Sequence, residues 1–223
     1  MEYSRRELIA GGAMAGLLLL PGCSNLPGLS LTEAIKRLLT LSSQNAFSEL
    51  LQPHGFLESQ VASLQVPEFL GGNTTNAMAS ILLRSKPMQN RLLKVVNRAA
   101  EKGADLAAPI VADTIRNMSI ADAAAIISGG PTAATDLLQG QLGNTLVNRM
   151  IPGIGQGLEL FDNDIINQVV RELANVDIAR IRGDVSDKTS HAIFRAIGAQ
   201  ETIIRANPER TNDPILIAVF GLS

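Results

Sequence analysis

The chain has very few residues that support redox or metal chemistry. Its 223 residues include one cysteine, Cys23, and two histidines, His54 and His191. A single thiol excludes a disulfide within the chain, and the two histidines do not stand at the spacing of zinc ligands. We therefore expect no metal centre and no other cofactor, and we expect His191, beside an apolar helix face, to be a partly buried structural histidine.

Aromatic and charged side chains are also scarce. Aromatic residues make up 3% of the chain, and none of them is tryptophan. Charged residues make up 18%, and the net charge is −2. A core without rings has to be filled by leucine, isoleucine, valine and alanine, which favours helices packed closely through small side chains. Basic residues are spread among acids, and no basic stripe with interleaved aromatics appears, so we do not expect nucleic-acid binding.

The first 22 residues, "MEYSRRELIAGGAMAGLLLLPG", have the layout of a secretory signal peptide. Arg5 and Arg6 form a positive start, and the apolar run Leu8 to Leu20 is about 13 residues long, whereas a membrane span needs about 20. The paired arginines in "SRRELIA" resemble a twin-arginine export signal. The alternative is a general secretory signal in which the basic residues happen to be paired.

The segment "LPGC", Leu20 to Cys23, resembles a bacterial lipobox. In that motif a peptidase cuts before the cysteine, whose sulfur then carries lipid, and the small Gly22 suits the cut. Residues 23–30 are then a lipidated tether, held in the membrane by acyl chains such as palmitate. We expect an exported protein that faces the periplasm, with the outer membrane favoured because Ser24 follows the cysteine.

The remaining residues, 31–223, are predicted to form a single all-α domain, a compact bundle of roughly seven to nine helices of mixed length. Ser30 with Glu33 forms a capping box for the first helix, and Ser119 with Asp122 forms a second capping pattern. Pro87 suits the first turn of a helix, and Pro214 begins a short docking helix at the C-terminus. No strand-like alternation is sustained.

Two other features refine this prediction. The segment "PGIGQG", Pro152 to Gly157, should interrupt the helices; its spacing does not match a dinucleotide-binding loop, which makes a helix-breaking turn the better interpretation. The long late helix should bury an apolar stripe that includes Val185, Ile193, Ile197, Ile203 and Ile204.

Several polar residues are weak candidates for a site. Three of them, Asn97, Arg98 and Glu101, lie within about one helical turn. They form either a polar site or a buried network that fixes helix packing, and we favour the packing role. Asp113 and Arg116 are spaced as a surface pair.

Two further candidates lie at predicted helix starts. The segment "GGPT", Gly129 to Thr132, begins a helix and could receive an anion, although a plain turn is favoured, and Asp136 follows it. Asp162 and Asp164 look like a carboxylate pair for a cation, but capping of a helix explains them better.

Three segments resemble a family of bacterial proteins known only as domain of unknown function 4197. The resemblance covers "NRAAEKGADLAAPIVADTIRNMSIADAAAIISGGPTAATDLL" (Asn97 to Leu138), "IRANPERTNDPILIAVFG" (Ile204 to Gly221) and "GFLESQVASLQVPEFL" (Gly55 to Leu70). It implies an exported, often lipid-anchored, helix-rich protein of Gram-negative bacteria without an assigned activity.

Three functions are compatible with these patterns. The first is a non-enzymatic envelope lipoprotein that acts at the membrane through contacts with an envelope protein or with lipid. The second is a binder of an apolar small molecule or lipid in a cavity among the helices. The third, an enzyme without a cofactor, requires Asn97, Arg98, Glu101, Asp113 or Asp136 to meet in one cleft.

Overall fold

A computed structural model describes residues 30–65, 81, 84–159 and 178–221 of the chain. Within these ranges the chain forms seven α-helices and no strand, which confirms the all-α prediction. The helices are α1 (Leu31–Leu50), α2 (Gly55–Glu58), α3 (Lys86–Asn117), α4 (Ala123–Ile127), α5 (Ala133–Glu159), α6 (Ile178–Ala206) and α7 (Pro214–Phe220), with a 3₁₀ turn at Pro208–Thr211.

Predicted helix starts agree with the structure where a side chain can cap the backbone. The Ser30 side chain accepts a hydrogen bond from the Glu33 amide at 3.3 Å, and Pro87 lies in the first turn of α3. The prediction for α4 was wrong by three residues, because Asp122 rather than Ser119 is the N-cap and accepts from the Ala125 amide.

Asp213 fixes the start of α7 and joins it to α1. One carboxylate oxygen accepts from the Ile215 and Leu216 amides, at 2.9 and 3.2 Å, and the other lies 2.9 Å from a guanidinium nitrogen of Arg37. Burial raises the pKa of Asp213, but the Arg37 hydrogen bond and the two amides outweigh it and the net shift is downward. The predicted C-terminal docking helix is therefore present, with Leu216 and Phe220 buried.

The segment Pro152 to Gly157 does not interrupt the helices, as the sequence had predicted, but continues α5 to Glu159. The reason is contact with α3. A Cβ on Gly153 would lie 2.6 Å from the Lys102 carbonyl oxygen, and one on Gly157 would lie 2.5 Å from Cα of Ala99. Only glycine permits this approach, so packing outweighs the low helix propensity of glycine, about 1 kcal/mol per residue.

Two prolines lie inside long helices on exposed faces. α3 continues past Pro109 as one helix and ends at Asn117. Pro109 and Pro152 are both exposed, so water can hydrogen-bond the carbonyls that each proline leaves without a donor. A kink does occur in α5 at Gly143, which has a φ of 40°.

The core is filled by aliphatic side chains of α1, α3, α5 and α6, with Phe56 of α2 inserted among them. The predicted stripe of α6 is buried at Val185, Ile193, Ile197 and Ile204. Ile203 is an exception, 49% exposed, because it lies to one side of the face that meets the core.

α1 and α3 run antiparallel. Near the start of α1, Lys36 Nζ donates to the Arg116 carbonyl at the end of α3, at 2.7 Å. Just beyond the end of α1, His54 faces Glu101, which is 15 residues earlier in α3. Residues that follow α1 therefore meet the middle of α3, and this junction forms a cleft.

Candidate functional site

The cleft between the end of α1 and the middle of α3, here called the His54 cleft, has a volume of about 570 Å³. Leu51 and Pro53 line one side, and the nearly buried Val95 lies at its base. The α3 side carries charged residues: Lys94, Arg98, Glu101, Lys102 and Asp105. The cleft thus combines an apolar surface with a charged wall.

His54 is held in the cleft by a tight turn. Its φ of 67° places it in the left-handed region, which is uncommon for a residue with a side chain. The following residue has to be glycine, because a Cβ on Gly55 would lie 2.3 Å from the Glu49 carbonyl oxygen. The turn brings the imidazole and the backbone N–H of His54 towards the carboxyl group of Glu101.

Glu101 is the ionisable group in this cleft with a shifted pKa. Partial burial of the carboxyl group raises its pKa, and the charges of Arg98 and Lys102 together with the contact to His54 oppose this shift without cancelling it. Partial burial of a carboxyl group in a cleft is typical of functional sites, but it also occurs in structural networks.

A basic face on α3 leads into the cleft. Arg91, Lys94, Arg98 and Lys102 are exposed and follow one another at three- or four-residue spacing, which places them on one side of the helix. The expectation that basic residues are spread among acids is wrong for residues 69–100, which contain no aspartate or glutamate. We call these four residues the basic stripe.

No hydrogen bond or close ion pair holds the basic stripe. In the ranges that the structure describes, the side chains of Arg91, Lys94, Arg98 and Lys102 form neither, although the charges of Arg98 and Lys102 act on Glu101. These exposed cations are available to an anionic ligand.

Asn97 points away from this cleft and into the core. Its side chain accepts from the Leu64 amide at 2.9 Å and donates to the Leu64 and Leu93 carbonyls at 3.0 and 2.8 Å. It is 1% exposed. Asn97 therefore pins the connector after α2 to α3, and it does not share a site with Arg98 and Glu101.

A second cleft, the α5–α6 cleft, contains Thr132 and Asp136 and has a volume of about 650 Å³. The Thr132 hydroxyl donates to the Asp136 carboxylate at 3.2 Å, and His191 lies opposite. The expectation of a partly buried His191 is wrong: its side chain is 56% exposed, and Nε2 lies 3.7 Å from Asp187. No group of three metal-ligating side chains occurs in the described residues.

The anion that "GGPT" suggested is supplied by the protein itself. The buried carboxylate of Glu201 in α6 accepts from the Ala134 and Thr135 amides at the start of α5, at 3.1 and 2.7 Å, and from the Thr135 hydroxyl at 2.6 Å. The N-terminus of α5 is thereby occupied, which leaves no room for an external anion between it and α6.

Arg205 completes this interaction. Its Nε lies 2.8 Å from Glu201, and its two terminal nitrogens donate to the Ile126 and Ile127 carbonyls at the end of α4, each at 3.0 Å. The guanidinium also lies 4.8 Å from the ring centre of Phe220. The Glu201–Arg205 pair was not among the predicted site residues, although its four-residue spacing on a helix is a recognisable signal.

The remaining candidates lie elsewhere. Asp113 and Arg116 form the predicted surface pair at the exposed end of α3. Asp113 is 12 residues from Glu101, or about 18 Å along the helix. The five residues of the enzyme hypothesis thus do not meet in one cleft. Arg5, Arg6, Cys23, the acids Asp162 and Asp164, and most of the predicted tether lie outside the described residues.

A search of the described helices for membrane spans finds none that is long and apolar enough to cross a bilayer. No curated protein and no solved structure matches the chain. One family model, described as protein of unknown function (DUF4197), matches residues 25–221. The match covers nearly the whole chain, and the chain belongs to this family.

Proposed function

We propose that this protein is a lipid-anchored component of the cell envelope that acts by binding a partner protein rather than by catalysis. The anchor is the lipid that the sequence predicts on Cys23, and the binding region is the His54 cleft with the basic stripe. The observation that carries the proposal is the basic stripe itself, four exposed cations on one helix face that form no hydrogen bond or close ion pair within the described part of the chain.

Catalysis is less well supported because the cleft lacks a complete set of reacting groups. Among its described lining residues, Glu101 and His54 can transfer protons, but none is a serine, threonine or cysteine that a base could activate as a hydroxyl or thiol nucleophile. The lysines of the cleft, Lys94 and Lys102, are exposed to solvent, whereas a lysine nucleophile is typically activated by desolvation in an apolar pocket. The charges at this cleft therefore serve binding better than they serve a reaction.

An apolar small molecule is also a weaker candidate for this site. Pockets for such ligands are mostly enclosed by hydrophobic and aromatic side chains. The His54 cleft is open to solvent, and five of its lining residues are Lys94, Arg98, Glu101, Lys102 and Asp105. An apolar ligand would leave these charges without a partner.

Site-specific photo-crosslinking in cells tests the proposal. A photoreactive residue at Lys94 or Asp105 should give a discrete adduct with a protein, and the same residue at Arg149, exposed on α5, should not. The adduct should weaken in Cys23→Ser, because this variant keeps its signal peptide and is no longer placed beside the partner by its lipid, so the local concentration of the partner falls. Equal crosslinking at all three positions, or none at any of them, would contradict the proposal.

A further inference from the structure

The geometry of α3 and α1 restricts what the His54 cleft can bind. Lys94, Arg98 and Lys102 succeed one another at intervals of four residues. Four residues of helix rise about 6 Å. In an extended peptide, side chains two residues apart point the same way and are separated by about 6.6 Å. A strand-like peptide with acids at alternate positions therefore matches the cations of α3.

The other side of the cleft suits apolar side chains. Leu51, 39% exposed, and Pro53 face α3 across the cleft. In an extended peptide the residues between the acids point to the opposite side. If the acids contact α3, the intervening residues face Leu51 and Pro53. The cations of α3 and the apolar side of the cleft are thus both complementary to a peptide in which acidic and apolar residues alternate.

The spacing of the three cations that line the cleft sets the length of the ligand. Lys94 and Lys102 are eight residues apart on α3, or about 12 Å. A peptide at about 3.3 Å per residue spans this distance with about five residues. A short segment of a partner protein is sufficient.

The position of the cleft argues against the anchoring membrane as the ligand. The tether joins α1 at Ser30, near Arg116 at the end of α3, and the cleft residues of α3, Lys94 to Asp105, lie 22 to 11 residues, or about 33 to 16 Å, away along the helix.

We propose that the His54 cleft binds an extended segment of a partner protein in which acidic and apolar residues alternate over about five positions. The acids pair with Lys94, Arg98 and Lys102, and the apolar residues cover Leu51 and Pro53. The inference rests on the proposed function and specifies the partner's chemistry.

Fluorescence anisotropy with labelled peptides tests this inference on the mature chain in mild detergent. The probe is Glu-Leu-Glu-Leu-Glu, and the pattern control, Glu-Glu-Glu-Leu-Leu, has the same composition and charge. The alternating peptide should bind at least about tenfold more tightly, the factor that corresponds to about 1.4 kcal/mol. Equal affinity for the two peptides, or no binding of either, overturns the inference.

Charge reversal locates the site. Arg98→Glu should weaken binding of the alternating peptide about tenfold or more, whereas Arg149→Glu, an equal charge change on the exposed side of α5, should alter it less than twofold. Circular dichroism establishes that both variants are folded. An equal loss in the two variants means that binding follows net charge alone, which overturns the inference.

The membrane alternative is tested with vesicles of mixed zwitterionic and anionic phospholipid. Sedimentation with these vesicles of a chain that lacks residues 1–23, abolished by Arg98→Glu, would replace the peptide by a lipid surface and overturn the inference. A crosslinked partner at Lys94 together with failure of the peptide would overturn only the alternating pattern and leave the proposed function intact.

Discussion

Removal of the Glu201 carboxylate should be among the most destabilising single changes in this protein. Glu201 and the Arg205 side chain are 0% and 10% exposed. In Glu201→Ala the guanidinium of Arg205 remains in place without its counter-ion, and loss of one member of a buried pair costs about 3–5 kcal/mol. Loss of the acceptor at the start of α5 adds about 1 kcal/mol. We therefore expect the free energy of unfolding to fall by about 4 kcal/mol or more.

Glu201→Gln separates charge from shape. The amide keeps one oxygen acceptor but turns its NH₂ group towards the donors at Ala134 and Thr135, so we expect an intermediate loss of about 2 kcal/mol. The matched control is Asp113→Ala, which removes an exposed ion pair with the same kind of acid and should cost less than about 0.5 kcal/mol.

Urea unfolding followed by far-ultraviolet circular dichroism measures these differences. The expected order of stability is Asp113→Ala, then Glu201→Gln, then Glu201→Ala. A loss below about 1 kcal/mol for Glu201→Ala, comparable to the control, would refute the conclusion that this pair joins α4, α5 and α6.

Three further predictions concern packing and ionisation. Gly157→Ala should lower the thermal midpoint by several degrees because its Cβ meets Ala99, whereas Gly140→Ala, with no atom within 4 Å, should leave the midpoint unchanged or raise it. Asn97→Ala should cost about 2–3 kcal/mol in urea unfolding because the Leu64 N–H and C=O lose their partner in the core, and a loss under about 0.5 kcal/mol would contradict that role. The folded-state pKa of Glu101 is raised, so its stabilising contribution is present at acidic pH and is lost as the pH rises through that pKa. Between pH about 4 and 7, the free energy of unfolding of Glu101→Gln should therefore fall less than that of the wild type. Parallel plots of unfolding free energy against pH for the two proteins would show that burial of Glu101 has no effect.

The sequence predicted the structure correctly where an interaction between residues close in the chain determines it. The Ser30 cap, Pro87 in the first turn of α3, and the short helix after Asp213 each depend on residues within one turn of the helix end. The hydrophobic periodicity of α6 likewise identified most of its buried face, with the exception of Ile203.

The sequence was insufficient where a distant helix determines the structure. The helical conformation of Gly153 and Gly157 depends on contact with α3, which lies about 50 residues earlier in the chain. Glu201 accepts from residues that are 66 and 67 positions away. No periodicity within a window of 18 residues or so registers such contacts.

The candidate site also combines features that the sequence shows directly with features that depend on distant contacts. The charges of α3 are visible in the sequence, and Arg98 and Glu101 were identified as candidates, but their neighbour Asn97 belongs to the core. The pairing of Glu101 with His54 depends on the turn after α1 and its left-handed backbone, which no motif in the sequence indicates.

The lipid on Cys23 is the premise on which the orientation of the cleft depends, and intact-mass spectrometry of the protein purified from membranes tests it most directly. We expect a polypeptide that begins at Cys23 and carries acyl chains, and a Cys23→Ser variant that keeps its first 22 residues and has no lipid. A mature protein without lipid, or normal processing of the Cys23→Ser variant, would contradict the proposed anchor.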